Sequence, residues 1–156
     1  MQIPAVSSVS LAPVELAAWR GLLRVHSALV HQFDAELRAT HGLSLQEYEV
    51  LLMLAEAPGN LMRMSDLAAS VLLSQSGLTR LVDRLARDGS VERTRCESDR
   101  RGLNAELTDA GRLRLAQARP THLAGVRRSF LERFDEAELG ALAGYWERVL
   151  PGATAE

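Results

Sequence analysis

SQSGLTRLVDRLARDGSVERTRCESDRRG, residues 74–102, places seven arginines and five acidic side chains in one short span of a chain whose net charge is −2. Leu78, Leu81, Val82 and Leu85 fall at i, i+3, i+4 and i+7, the repeat of a helix with one apolar face. The same geometry turns Gln75, Ser76, Thr79, Arg80, Asp83, Arg84 and Arg87 outward. Ser74 stands where a capping hydroxyl is needed, and Gly89 where a left-handed residue ends a helix, so the spacing predicts a helix from Ser74 to Asp88. From Val91 the period changes to two. VERTRC and LNAELT, residues 91–96 and 103–108, predict two strands of a hairpin around the polar turn ESDRRG.

The outward face of this helix begins with small hydrogen-bonding side chains, Ser74, Gln75, Ser76 and Thr79, and continues into Arg80 and Arg84. A helix that reads the DNA major groove needs that order. Its first residues meet base edges, arginine bridges guanine O6 and N7, and free backbone N–H groups at its start take a phosphate. The hairpin tip carries Asp99, Arg100 and Arg101. A thin hairpin bearing arginine suits the minor groove, and a carboxylate two residues from Arg101 can hold that guanidinium extended. Helix, turn, recognition helix and hairpin together predict a winged helix-turn-helix.

Outward from this segment the chain reads as helical. Pro13 to about Thr40 predicts one long helix, with Pro13 in its first turn and Gly42 just past its end. Trp19, Leu22, Leu23, His26, Leu29, Val30, Phe33 and Leu37 form one apolar stripe along it. That helix is too long for a small core, so its spare apolar length is expected to face a partner. SLQE, residues 44–47, is a capping box that opens the next helix. LMRM, residues 61–64, reads as a short extended stretch, and Ser65 as the cap of a brief helix through Asp66, Leu67, Ala68, Val71 and Leu72. Thr108 or Asp109 caps another long helix, which Pro120 is expected to kink or break. Asp135 and Glu138 open a last helix with Leu139, Leu142, Trp146 and Val149 on one face. The expected fold class is mainly α with a small β-hairpin wing, in a single domain spanning 1–156. Residues 13–41 and 109–150 would be dimerisation helices, 44–108 the winged lobe and 1–12 a flexible tail.

The totals narrow the function classes. One cysteine excludes an internal disulfide framework and a multi-cysteine zinc site, and suits a reducing compartment. The first residues have no basic, apolar leader pattern, and no run approaches the roughly 18 apolar residues of a membrane span, so the expected location is the cytoplasm, with no membrane partner. All 18 basic residues are arginine, and each offers the planar fork that suits phosphates and base edges. No HExxH, CxxC or phosphate-binding glycine loop occurs, so neither an enzyme nor a metal or other cofactor is expected.

The order of helices, LTRLVDRL at 78–85, DRRG at 99–102 and LTDAGR at 107–112 resemble the MarR family of bacterial transcription regulators, over about Pro13 to Leu150. The resemblance implies a homodimer built from the first and last two helices, bound to a pseudo-palindromic double-stranded operator. It implies DNA contacts from Thr79, Arg80 and Arg84 and minor-groove insertion of Arg101. It also implies a pocket for a small aromatic or phenolic acid between the dimer helices and the DNA-binding lobe. His26, on the apolar stripe, would line it or be a hydrogen-bonded core residue. Trp19, Tyr48 and Arg112 could supply stacking surface, a hydroxyl and a carboxylate partner. A urate-responsive branch uses a tryptophan, an aspartate and two arginines, which Trp19, Asp66, Arg100 and Arg112 resemble apart from the interval between the first two. Peroxide-sensing members carry their cysteine in the first helix, where this chain has none. The readings left open are a thiol switch at Cys96, which otherwise serves as a small strand residue, and a winged-helix module for protein contacts without DNA.

Overall fold

The structure, a computed structural model, describes residues 10–71, 73–95 and 102–154. Helix α1 spans Pro13–His41 and ends on Gly42, whose φ of 61° gives the left-handed closure. Helix α2, Leu45–Glu56, opens with the predicted reciprocal cap: Glu47 N–H donates to Ser44 Oγ at 3.1 Å, and Ser44 N–H donates to Glu47 Oε2 at 2.8 Å. A short 3-10 turn leads into strand β1, Leu61–Arg63. Helix α3 covers Met64–Ser70 and α4 covers Gln75–Arg87. Strands β2, Val91–Arg95, and β3, Leu103–Leu107, precede α5, Asp109–Ser129, and α6, Glu136–Val149.

The fold class is the expected one, mainly helical with a small sheet. Three local expectations change. Leu61–Arg63 of the expected extended stretch form a paired strand: β1 lies antiparallel to β3, with Met62 opposite Ala105, so the order is β1-β3-β2. Because pairing runs to Arg63, the chain enters α3 directly and Ser65 falls inside its first turn. Its hydroxyl donates to Asp66 Oδ1 at 3.1 Å instead of capping. Pro120 does not break α5, which is continuous through it. Pro120 and Ala116 are both exposed, so the carbonyl that loses its donor opens to solvent, where the loss is least costly. Leu72, Cys96 and the turn that carries Asp99, Arg100 and Arg101 lie outside the described residues.

The core sits under α4. Leu78, Val82 and Leu85 are fully buried and Leu81 nearly so, packed with Leu37, Leu43, Val50, Leu51, Leu54 and Leu67. Burying a leucine side chain of this kind stabilises by about 1.5–3 kcal/mol, so the apolar repeat of α4 fixes which of its faces looks out. Both ends of α4 are closed. Ser74 Oγ accepts from Gly77 N–H at 3.2 Å. At the other end Gly89 takes φ 76°, with Ser90 N–H donating to Leu85 O at 2.8 Å and Gly89 N–H to Ala86 O at 3.2 Å.

The start of α5 locks onto this end of α4. Thr108 Oγ1 donates to Gly89 O at 2.6 Å and accepts from Gly111 N–H at 3.0 Å. Arg114 pairs with Asp88 and donates to Ser90 Oγ at 3.2 Å and to Gly42 O at 3.2 Å, tying three helix ends together. By contrast, α1 and α6 are poorly covered by their own chain. Leu37 is the only buried residue of α1, and α6 has none.

Candidate nucleic-acid interface

The surface of α4 begins at its N-terminus, where Ser74, Gln75 and Ser76 are exposed and Thr79 is half-buried. Thr79 Oγ1 donates to Gln75 O at 2.8 Å, and Arg80 Nε to Ser76 O at 3.3 Å. Both bonds run along the helix, so neither draws its side chain across to another element, and Arg80 stays exposed. Arg87 behaves alike, donating from Nε to Asp83 O at 3.2 Å. This face can offer hydroxyl, amide and guanidinium groups to a polyanion, and the free N–H groups of its first turn to a phosphate.

Arg84 departs from the expectation of a wholly outward side chain. Its Nε donates to Glu47 Oε1 on α2 at 2.9 Å, with the arginine side chain 49% exposed and the glutamate side chain 11%. Burial pushes the Glu47 carboxyl up, but the Ser44 amide and the Arg84 guanidinium more than offset it, and the group lies below the usual carboxylate range. Glu47 was legible only as a cap. The signal for its second role is that a cap engages one carboxylate oxygen and leaves the other for a cation.

The wing root is tied to the same helix. Arg93 of β2 pairs with Asp83 of α4 at 2.8 Å. A cavity of about 380 Å³ opens between the starts of α3 and α4 and the two wing strands, lined by Ser65, Gln75, Thr79, Arg93 and Leu103. The predicted contacts Asp99, Arg100 and Arg101 lie beyond these strands, outside the described residues.

The residues expected to hold an effector are not brought together. Tyr48 is buried, whereas Trp19 and His26 are exposed on α1, so His26 is not a core residue of this chain. Asp66 lines a different surface depression, with Met53, Glu56 and Met62. Arg112 is exposed at the start of α5, ten residues and so about 15 Å along the helix from the α5 residue that meets Tyr48. That residue is His122, which no motif in the sequence singles out. Its ring stands edge-on to Phe33 with centroids 5.3 Å apart, and tilted against Tyr48 at 4.7 Å. Its Nδ1 is buried without a hydrogen-bond partner among the described residues. Burial holds its pKa below the ordinary value of 6.5, against the opposing pull of Glu36. Beside it lies a cavity of about 370 Å³ lined by Tyr48, Glu49, Leu52, Met53, Val71 and His122. Burial also raises Glu49, with His26 opposing. Among the described residues, no group of three or more histidine, cysteine or acidic side chains could hold a metal ion, and no helix is long and apolar enough to cross a membrane.

This arrangement is similar to known proteins. The sequence profile of the MarR family matches residues 41–102. AbsC, a MarR family transcriptional regulator from Streptomyces coelicolor, is 38% identical and superposes with a TM-score of 0.83, covering 90% of this chain and 94% of that one. Sco3205, a MarR family regulator from the same organism solved in complex with DNA, is 31% identical, with a TM-score of 0.84 and 92% of each chain covered. The transcriptional repressor YetL of Bacillus subtilis is 32% identical over 100 residues, which span 64% of this chain and 59% of that repressor.

Proposed function

This chain belongs to the MarR family, and from that membership we propose a sequence-specific double-stranded DNA-binding transcriptional regulator, a homodimeric repressor relieved by a small-molecule effector. The observation that carries the DNA reading is the division of α4. Leu78, Val82 and Leu85 are fully buried and Leu81 nearly so, while Ser74, Gln75, Ser76 and Arg80 are exposed on the other side. That a relative of 92% mutual coverage was solved on DNA supports placing α4 in the major groove. In this reading Ser74, Gln75, Ser76, Thr79, Arg80 and Arg84 contact DNA, and Asp99, Arg100 and Arg101 form the wing contact. Such a regulator works on the chromosome, in the cytoplasm.

The dimer reading rests on what the single chain leaves uncovered. On α1, Trp19 is 53% and Leu23 49% exposed, and on α6 Tyr145 is 53% and Val149 76% exposed. A second copy that covers these faces would bury their apolar side chains and set two α4 helices one DNA turn apart, about 34–36 Å. Residues 13–41 and 109–150 would then be the dimerisation helices and 44–108 the DNA-binding lobe.

For the effector, the cavity beside His122 has the support that the Trp19, His26, Asp66 and Arg112 set lacks. It offers Leu52, Met53 and Val71 for an apolar ring and the unpartnered His122 Nδ1 for a polar group. A small aromatic or phenolic acid seated there lowers operator affinity only by its preference for the DNA-free conformation.

The experiment is a mobility-shift titration with duplex DNA from upstream of the protein's own gene, with and without benzoate or hydroxybenzoate. Salt-sensitive binding to one segment, lost in Arg80→Ala, is the expected result. Equal binding to every duplex, or none, refutes the regulator reading.

A further inference from the structure

The contact between Glu47 and Arg84 joins a capping residue to the DNA-facing helix. The two carboxylate oxygens of Glu47 have separate tasks. Oε2 accepts from Ser44 N–H at 2.8 Å and closes the cap of α2, and Oε1 accepts from Arg84 Nε at 2.9 Å. The carboxylate is buried while half of the arginine side chain stays accessible. Its anchor is fixed in turn. Asp34 of α1 accepts the Leu45 N–H of α2 at 2.9 Å and is itself bonded to Arg38 at 2.6 Å, so the start of α2 is held against α1.

We propose that Glu47 is a positioning residue for base recognition: it clamps Nε of Arg84 and presents the two terminal nitrogens of that guanidinium end-on to a guanine. The inference rests on the DNA-binding reading above. A guanidinium can meet guanine O6 and N7 through Nε and one terminal nitrogen, or through the two terminal nitrogens. With Nε committed to Glu47, only the second pair is open. The clamp also restricts rotamers that a free arginine would lose on binding, and a charge-assisted bond to a buried carboxylate is strong enough to hold it. Among the described residues Arg80 has no such support: its Nε bonds to a carbonyl of its own helix. The two arginines therefore differ in kind: Arg84 is set before DNA arrives, and Arg80 adapts to it.

The test is selection from a randomised duplex library with the full-length wild type, Glu47→Gln, Arg84→Ala and the double variant, with thermal denaturation of each alongside. Glutamine still serves in a capping box, but it is neutral and has one acceptor oxygen for two donors. The wild type should enrich a motif with a guanine at one position of each half-site. Glu47→Gln and Arg84→Ala should both lose the preference for that guanine by roughly fivefold or more and keep the rest of the motif. The double variant should be no worse than Arg84→Ala. Any lost cap energy appears in the melting temperature and cannot alter the preference at one base. A Glu47→Gln motif identical to that of the wild type overturns the proposal, as does a loss spread evenly over every position or a double-variant loss equal to the product of the single ones. Each of these leaves DNA binding intact. A wild type that enriches no sequence overturns both readings together.

Discussion

Replacing Gly111 with alanine tests whether the join between α5 and the end of α4 is as tight as its geometry states. A Cβ on Gly111 would stand 2.0 Å from Ser90 O, 2.8 Å from Leu107 Cδ1 and 2.9 Å from Ser90 C, and must retreat at least 1 Å to reach even 3.0 Å. The obstruction is backbone, so α5 or the turn after α4 must move. That movement loosens three hydrogen bonds: Thr108 N–H to Ser90 O at 3.2 Å, Thr108 Oγ1 to Gly89 O at 2.6 Å, and Arg114 to Ser90 Oγ at 3.2 Å. At about 1 kcal/mol for each bond, plus about 1–3 kcal/mol for overpacking, less about 1 kcal/mol of helix propensity gained, the net loss is about 3–5 kcal/mol. For a chain of this size that is a fall in melting temperature of about 10 °C. Circular dichroism melts, with Gly125→Ala as comparison, supply the measurement. At Gly125 the nearest atom to a new Cβ is Glu36 Oε2 at 2.7 Å, the movable end of a side chain, with Phe33 next at 3.3 Å. That variant should stay within about 1 kcal/mol of the wild type. If Gly111→Ala melts with the wild type, or if the two variants lose equally, α5 does not bear on α4 as described.

Three further outcomes follow from the site. Arg80→Ala should weaken binding to the selected duplex by about 1–3 kcal/mol in fluorescence anisotropy, and unchanged affinity removes Arg80 from the interface. His122 has its pKa depressed by burial, so the unfolded chain binds its proton more readily. Its contribution to stability is full above pH 6.5 and is lost as pH falls through the lower folded value. Chemical denaturation between neutral pH and pH 5 should therefore show a steeper loss in the wild type than in His122→Phe, and parallel curves refute that account. Leu22 is 41% exposed on α1. Leu22→Asp should shift sedimentation towards the monomer and reduce DNA affinity with it, and an unchanged particle size places the interface elsewhere.

Much of the fold was legible because helices and strands are local. The run Leu78, Leu81, Val82 and Leu85 could satisfy its apolar side chains only as one helix face, the caps at Ser44, Ser74 and Asp135 formed as read, and of Thr108 and Asp109 it is Thr108 that caps α5. The change of period at Val91 placed both wing strands to within one residue. The failures share a cause. Ser65 looked like a cap because the pairing of β1 with β3, more than forty residues apart, leaves no trace in LMRM itself. Pro120 read as a kink or break, and α5 runs on through it, because the exposure of Ala116 and Pro120 that makes the loss cheap is a tertiary fact. The effector residues Trp19, Asp66 and Arg112 were grouped by chemical type, and within one chain helix packing carries them to separate surfaces.

The amino-acid order alone therefore determined the helices, the wing strands and the outward face of α4, because periodicity and capping are settled within a few residues of chain. Only the tertiary structure decided that Glu47 reaches Arg84 across 37 positions, that His122 stands between Phe33 and Tyr48, and that Arg114 ties three helix ends together. Those contacts depend on how helices cross and how far side chains reach between them, which no local pattern encodes.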